Sequence, residues 1–346
     1  MKSIRTDGRR AQVSDRNSRQ RRESRERSRT LRRIAGSAAV GRPMTRPVVT
    51  VGNFDGVHRG HQAILETVVE RAKALSGQAV VYTFEPHPRK VLSPDRAPGL
   101  LTTLDQKIEL LGEAGVDAVI VEPFNLEFAK IPPERFIREY LHDRIRPVEV
   151  YVGYDFHFGR DRVGSMRTLT EIGSRLGFSV TIIPEVSVDG NDVNSTRIRQ
   201  LVTEARLEQA AVMLGRTYSV RGRVVEGDRR GRTLGFPTAN LDPDNEVLPG
   251  AGVYAGEVGF LDPGNPAPGQ RLPAVINVGT RPTFQESKRV TAEAHLIDFD
   301  GDLYGRQLEF SFRCHLRPER RFSDVEALKT QIGADVADSR RQLQLS

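Results

Sequence analysis

One cysteine, Cys314, is all the chain has, which excludes an internal disulfide and any zinc site built on several cysteines. Long hydrophobic runs are missing too: none approaches the roughly 20 residues that cross a membrane. The start of the chain lacks the apolar core of a secretory signal. These absences predict a protein of a reducing cytoplasm with no membrane partner. What is present fits a globular enzyme or binding protein. With 346 residues, 38 % hydrophobic and 28 % charged, the chain is long enough for two packed domains and a tail.

Charge is unevenly placed. Residues 1–46 hold fourteen arginines and Lys2 against Asp7, Asp15, Glu23 and Glu26, a net +11, so the rest of the +7 chain carries −4. An Arg/Ser-rich segment with almost no apolar residue before Leu31 buries too little surface to fold, and residues 1–46 are expected to form a disordered extension. Several readings of it stay open. It can be a solvated extension, a misassigned start upstream of Met44 as the true initiator, a mitochondrial transit peptide weakened by Glu23 and Glu26, or an arm that touches RNA or a membrane surface through charge. No nucleic acid is required by anything downstream.

From Pro47 to about Leu214, strands and helices alternate. Pro47–Gly52, Ala79–Phe84, Asp117–Val121, Glu149–Gly153 and Phe178–Pro184 read as strands. Ile64, Leu65, Val68, Val69, Ala72 and Leu75 make one helical stripe, and Thr103 with Gln106 forms a capping box. The pattern predicts a parallel sheet covered on both faces, with ligands at the carboxyl ends of its strands. From Tyr218 the rhythm becomes strand after strand with Gly/Pro/Asp-rich turns, which predicts an antiparallel barrel or sandwich. Ser323 with Glu326 predicts the cap of a final helix running to about Arg341.

Two stretches carry chemistry. In Gly52-Asn53-Phe54-Asp55-Gly56-Val57-His58-Arg59-Gly60-His61, a strand passes through a glycine loop into a helix. Glycines let backbone approach a ligand, and a helix start offers free N–H groups to an anion. His58 and His61 can share one side of that start and donate to phosphate; two histidines in a surface turn would look the same. The second stretch runs from Gly227 through Gly231, Arg232, Gly235 and Pro237 to Thr238, Ala239 and Asn240. Thr238 and Asn240 share a face of an extended segment, and their oxygens suit a Mg²⁺ also held by phosphates. A charged, solvated hairpin tip reads the same way from the residues alone. In Val290–Phe299, Glu293 alternates away from Val290, Ala292, Ala294 and Leu296 and faces opposite the apolar side.

These stretches carry a resemblance. The first resembles the H-x-G-H nucleotidyltransferases and, more narrowly, the bacterial bifunctional riboflavin kinase/FAD synthetases. Thr83–Arg89, Val152–Gly159 and Ser195–Arg199 are similar to that family's later segments, with Asn194 where a serine is usual. The second stretch matches the family's riboflavin kinase signature almost residue for residue, and Pro249–Tyr254, Asn277–Phe284 and Asp302–Gly305 are similar as well.

The resemblance implies a fold and a division of labour. A Rossmann-like nucleotidyltransferase α/β domain (47–202) and a helical connector (203–216) would precede a riboflavin kinase β-barrel with a terminal helix (217–346). Riboflavin and ATP would give FMN in the barrel, and FMN and ATP would give FAD and pyrophosphate in the α/β domain. ATP is the co-substrate and Mg²⁺ the cofactor. Gly52, Asn53, Phe54, Asp55, Gly56, Ser195, Thr196 and Arg199 would bind ATP in the first domain, where His58 and His61 stabilise charge. Gly231, Arg232, Gly235 and Pro237 would bind it in the second, with Thr238 and Asn240 on the metal. Glu293 would be the catalytic base. Asp155 and Arg317 would contact the flavin or its phosphate. The sequence leaves the oligomeric state open.

Overall fold

The computed structural model describes residues 31–188, 190–227, 235–281 and 289–345. Residues 1–30 and the candidates Gly231 and Arg232 lie outside these ranges.

The first unit is a six-stranded sheet, all parallel, made of β1 (Arg32–Ala35), β2 (Pro47–Val51), β3 (Gln78–Glu85), β4 (Ala118–Pro123), β5 (Glu149–Gly153) and β6 (Ser179–Ile183), in the order β1-β4-β3-β2-β5-β6. Every residue of β2 is buried, because helices cover both faces of a central parallel strand. Helix α1 (Arg59–Ala74) puts Ile64, Leu65, Val68, Val69 and Ala72 on that core. Helix α2 (Leu104–Glu113) starts with the expected box: Thr103 Oγ1 accepts from Gln106 N, and Gln106 Oε1 accepts from Thr103 N. Helix α3 (Met166–Leu176) ends at Gly177 in the left-handed conformation.

The expected boundary at residue 46 is corrected here. Arg32–Ala35 forms the edge strand β1 beside β4, and Met44 is buried in the sheet's core. Ser37 N donates to Glu122 Oε2 at 2.7 Å, and Tyr82 OH to the same oxygen at 2.6 Å. An edge strand needs backbone partners and one inward side chain. Ile34 supplies that side chain, so the composition around it stays basic and looked unfoldable.

The second unit is a closed antiparallel barrel of six strands: β7 (Tyr218–Val225), β8 (Ala239–Pro243), β9 (Gly252–Phe260), β10 (Arg271–Arg281), β11 (Arg289–Leu296) and β12 (Gln307–Arg317). Its order around the ring is β8-β11-β10-β9-β12-β7. Ala292, Ala294, Ile276, Val278, Leu241 and Phe310 fill the inside. A last helix (Val325–Gln342) packs on β9, β10 and β12. Its cap is Asp324, whose Oδ1 accepts from Ala327 N at 2.8 Å; Ser323 instead donates to the Asp324 carboxylate.

Between the units lie α4 (Ser195–Thr203) and α5 (Leu207–Leu214). Ile198, Leu201, Val202, Leu207 and Leu214 belong to the same apolar cluster as the barrel interior. Helix α4, placed by sequence in the first domain, is thus packed with the second.

Candidate active sites

Strand β2 lies inside the sheet, and its carboxyl end opens into the loop 52–58, where parallel sheets bind ligands. Phe54 (φ 51°) and Val57 (φ 38°) both sit in the left-handed region, a strained placement for an aromatic and a β-branched residue. Asp55 holds the loop in that shape. It is 3 % exposed, and its carboxylate accepts from Leu101 N (3.0 Å) and Thr102 N (3.3 Å) and pairs with Arg199 Nη2 at 2.6 Å. Arg199 also donates from Nε to Gly99 O at 2.7 Å. Both were expected on phosphate. The structure pairs them with each other, and a buried ion pair of this kind is stabilised by the further hydrogen bonds each partner makes.

His58 caps α1, and its Nδ1 accepts from His61 N at 3.4 Å. In the neutral ring the proton is then on Nε2, leaving that N–H as a donor. The His58 and His61 rings stack at 3.7 Å between centroids. Burial, reinforced by the charges of Arg216 and Arg199, lowers the His58 pKa to about 4. Burial, then His58, Lys107 and Arg216, also pushes His61 down. Both are neutral at pH 7. His61 Nδ1 is buried with no hydrogen-bond partner among the described residues. Gly60 makes room for the pair, since a Cβ there would lie 3.2 Å from the His58 ring.

The other expected groups divide. Ser195 opens α4 and donates from Oγ to Asp55 O at 3.1 Å, so it faces the loop. Thr196 is exposed beside it. Asn194, where a serine was expected, caps α4 by accepting from Arg197 N at 2.9 Å. Asp155 is exposed after β5, and its carbonyl bonds His157 Nδ1.

Three further features were given no site role by sequence. Arg216, half-buried at the start of the barrel unit, donates to Gly56 O at 2.7 Å and Val57 O at 3.3 Å, gripping the loop from the other domain. Tyr218 OH donates to Leu101 O at 3.2 Å, on the segment that bonds Asp55. At the carboxyl ends of β3, β4 and β5, the rings of Phe84, Phe124, Phe128, Tyr140, Phe156 and Phe158 cluster, with Phe124 and Phe128 centroids 5.5 Å apart. Recurring aromatics just past strand ends were the available signal.

The second constellation lies on the outside of the barrel. Glu293 on β11 is in register with Asn240 on β8 and with Asn277 on β10. Directly opposed residues share a face, so the three side chains form one row. Their neighbours Ala239, Leu241, Ile276, Val278, Ala292 and Ala294 point inward and are buried, as the alternation around Glu293 predicted. Gly227 lets that row form: a Cβ there would lie 2.4 Å from Asn240 Nδ2. A Cβ on Gly279 would lie 2.5 Å from Glu319 Oε1, which places that carboxylate near Asn277. Thr238 precedes β8, two residues from Asn240. His295, two residues past Glu293 on the same face, pins this segment: Nδ1 bonds Pro237 O at 2.9 Å, and its ring meets Phe236 edge-on at 5.3 Å. Gly235 has φ 86° and leads into the segment.

Arg317 departs from expectation. Its Nε and Nη2 donate to the two Asp335 oxygens at 2.9 and 2.7 Å. Asp335 is buried on the last helix, so this bidentate pair anchors the helix to β12. No group of three or more His, Cys, Asp or Glu residues that could hold a metal occurs among the described residues. The oxygens of Thr238 and Asn240 nonetheless fit Mg²⁺ shared with phosphates, because that ion keeps most of its waters and takes few protein ligands.

Comparison with known proteins gives two adjoining family matches: FAD synthetase over residues 42–197 and riboflavin kinase over residues 214–343. A bifunctional riboflavin kinase/FMN adenylyltransferase from Pseudomonas fluorescens is 42 % identical over 293 residues, covering 85 % of this chain and 92 % of that protein. One of the same description from Escherichia coli K12 is 40 % identical, covering 86 % and 93 %. A solved structure described as a macrolide-efflux protein from Streptococcus pneumoniae aligns with a TM-score of 0.80 at 28 % identity, covering 90 % of this chain and 98 % of that one. No helix among the described residues here is long and apolar enough to cross a membrane.

Proposed function

The chain belongs to the family of bifunctional riboflavin kinase/FMN adenylyltransferases, and from that premise we propose how its two sites divide the chemistry. ATP phosphorylates riboflavin to FMN in the barrel unit and adenylylates FMN to FAD in the α/β unit, with release of pyrophosphate. Which residues act is our reading of the geometry.

In the barrel, the register of Asn240, Glu293 and Asn277 carries the assignment. Glu293 accepts the proton of the ribityl hydroxyl as its oxygen attacks the γ-phosphorus and ADP leaves. Thr238 and Asn240 would hold Mg²⁺, which would offset phosphate charge. Asn277 orients the alcohol. Glu293 is in register with Asn240, the amide that would hold the metal, so strand pairing supports a base beside the phosphates.

In the α/β unit, a phosphate oxygen of FMN attacks the α-phosphorus of ATP, and the bond to the β-phosphate oxygen breaks. No protein nucleophile is needed, because the attacking group is already an anion. Catalysis is alignment and charge stabilisation. His58 Nε2–H and the N–H groups opening α1 and α4 point at the phosphates, and Thr196 adds a hydroxyl. Asp55 and Arg199 act one step back, holding the loop. The aromatic cluster past β3, β4 and β5 receives the flavin ring, with Asp155 at its edge. The soluble character of such substrates suits the cytoplasm.

A time course with riboflavin, ATP and Mg²⁺ tests this. FMN is expected first and FAD after it. His58→Ala with His61→Ala should stop the sequence at FMN, lowering FAD formation by about 10²–10³-fold. Loss of FMN formation in that variant, with the fold intact, would sink the division of sites.

A further inference from the structure

The adenylyl-transfer site contains one charged side chain that no role above uses. Lys107 lies on α2, in the turn that follows the Thr103 cap, and is 3 % exposed. Its backbone N–H donates to Thr103 O, five residues after Thr102 and six after Leu101, the two residues that bond the Asp55 carboxylate. Gln106, beside it, turns the other way, towards Ser219 O and Asn245 of the barrel unit. Lys107 lies close enough to the histidines and to the Asp55 loop for its charge to act on His61 and His87 and for Asp55 to act on it.

A lysine in this position has little to stabilise it in the ligand-free protein. The ammonium makes no hydrogen bond or ion pair with any described residue. Asp55, one nearby carboxylate, is committed to Leu101, Thr102 and Arg199. Glu85, at the end of β3, is the other; it acts on Lys107 through the field but forms no ion pair with it. The first turn of a helix disfavours a cation. Burial dominates these influences and lowers the ammonium's pKa, with Glu85 and Asp55 opposing.

Placement and need coincide. His58 and His61 are neutral, Arg199 is paired with the Asp55 carboxylate and bonds Gly99 O, and Arg216 holds the carbonyls of Gly56, Val57 and Leu214. The reaction nevertheless expels pyrophosphate, which leaves with the bonding electron pair of the Pα–O bond. Lys107 brings to that anion a positive charge that has no hydrogen bond or ion pair with any described residue. His61 Nδ1, buried and unpartnered, marks the same region as prepared for a polar ligand.

We propose that Lys107 is a phosphate contact of the adenylyltransferase site, holding the β- and γ-phosphates of ATP and the departing pyrophosphate. This rests on the reading that His61 faces the same phosphates. The FMN phosphate has the same chemistry, so the test separates the two sources.

Lys107→Met keeps the length and removes the charge. In the full-length protein, FAD formation from added FMN should fall about hundredfold. The Kd for inorganic pyrophosphate, read by titration calorimetry, should weaken at least about tenfold. FMN affinity and riboflavin phosphorylation should stay within about twofold, and the ligand-free melting temperature should hold, since no ion pair or hydrogen bond to a described residue is removed. Wild-type FAD formation with unchanged pyrophosphate affinity overturns the proposal. So does a lowered melting temperature with pyrophosphate and FMN affinity falling together, which is the mark of a structural lysine. A loss of FMN affinity alone assigns the contact to the flavin phosphate and also overturns it. Lys107→Gln repeats the comparison if the methionine variant does not fold. His61→Ala separates the premise from the inference. If His61→Ala loses pyrophosphate and Lys107→Met does not, the Lys107 contact is wrong while the premise stands. If neither loses it, both are wrong.

Discussion

At the carboxyl end of the parallel sheet, the site residues come from segments scattered along the chain: the loop 52–58, Leu101 and Thr102, the start of α4, and Arg216 and Tyr218 from the neighbouring unit. On the barrel, Asn240, Glu293 and Asn277 are set side by side by the pairing of three strands. The first arrangement depends on the domain interface, because the carbonyls of Gly56 and Val57 are held from the barrel side. The second depends chiefly on register, which the inward packing of Ala292, Ala294, Ile276 and Val278 fixes. A site built by register should fail locally when altered; a site built across an interface should fail together with stability.

The largest expected effect sharpens that contrast from the barrel side. Glu293→Gln should lower FMN formation by about 10²–10⁴-fold, the range for losing a general base. FAD formation from supplied FMN and the melting temperature should not change. A matching loss of FAD formation would erase the distinction.

Asp55→Asn probes the other side. It leaves Arg199 without its counter-charge in a site where their side chains are 15 % and 4 % exposed. Breaking a buried pair in this way costs about 3–5 kcal/mol. Denaturant unfolding should show that loss, and FAD formation should fall with it while any surviving folded protein still makes FMN. Wild-type stability would break the comparison.

A smaller effect follows from the histidines. His58 has a folded pKa of about 4 against 6.5 when free. Between those values the unfolded chain binds a proton that the native chain refuses, so stability falls as pH is lowered from about 6.5 to about 4. One such group is worth at most about 3 kcal/mol. His87, also lowered to about 4 chiefly by burial, acts in the same window. His58→Asn should flatten the melting temperature between pH 4.5 and about 6.5 relative to wild type; parallel curves would show that His58 is not the titrating group.

The smallest effect concerns Asn194. Asparagine and serine cap helices almost equally well, so Asn194→Ser should change stability by less than about 0.5 kcal/mol and leave FAD kinetics alone. A larger change would mean that the side chain touches substrate as well as capping α4.

Particular residues show how far the sequence reached. The strand–helix alternation, the Thr103 box, the inward and outward faces around Glu293 and the change of rhythm at Tyr218 were all legible, because each is a local spacing. Strand β1 was not, since an edge strand with one apolar contact has the composition of a tail. The roles of Asp55, Arg199 and Arg317 were not legible either. Each was expected on a ligand, and each has a protein partner that no local spacing shows: Asp55 with Arg199, 144 residues away, and Arg317 with Asp335, 18 residues away on the last helix.

What the sequence determined by itself, then, is the pair of architectures, the two motif-bearing loops and the chemistry those motifs resemble. Tertiary structure alone decided which charges are consumed in holding the loops and which stay available, and that a strand from the supposed tail completes the sheet. It also decided that α4 joins the barrel's core while its first residues face the other site. The physical reason is range. Periodicity and capping act within a few residues, whereas the pairing of a buried charge is settled only when segments a hundred or more residues apart come into contact, as at Asp55 and Arg199.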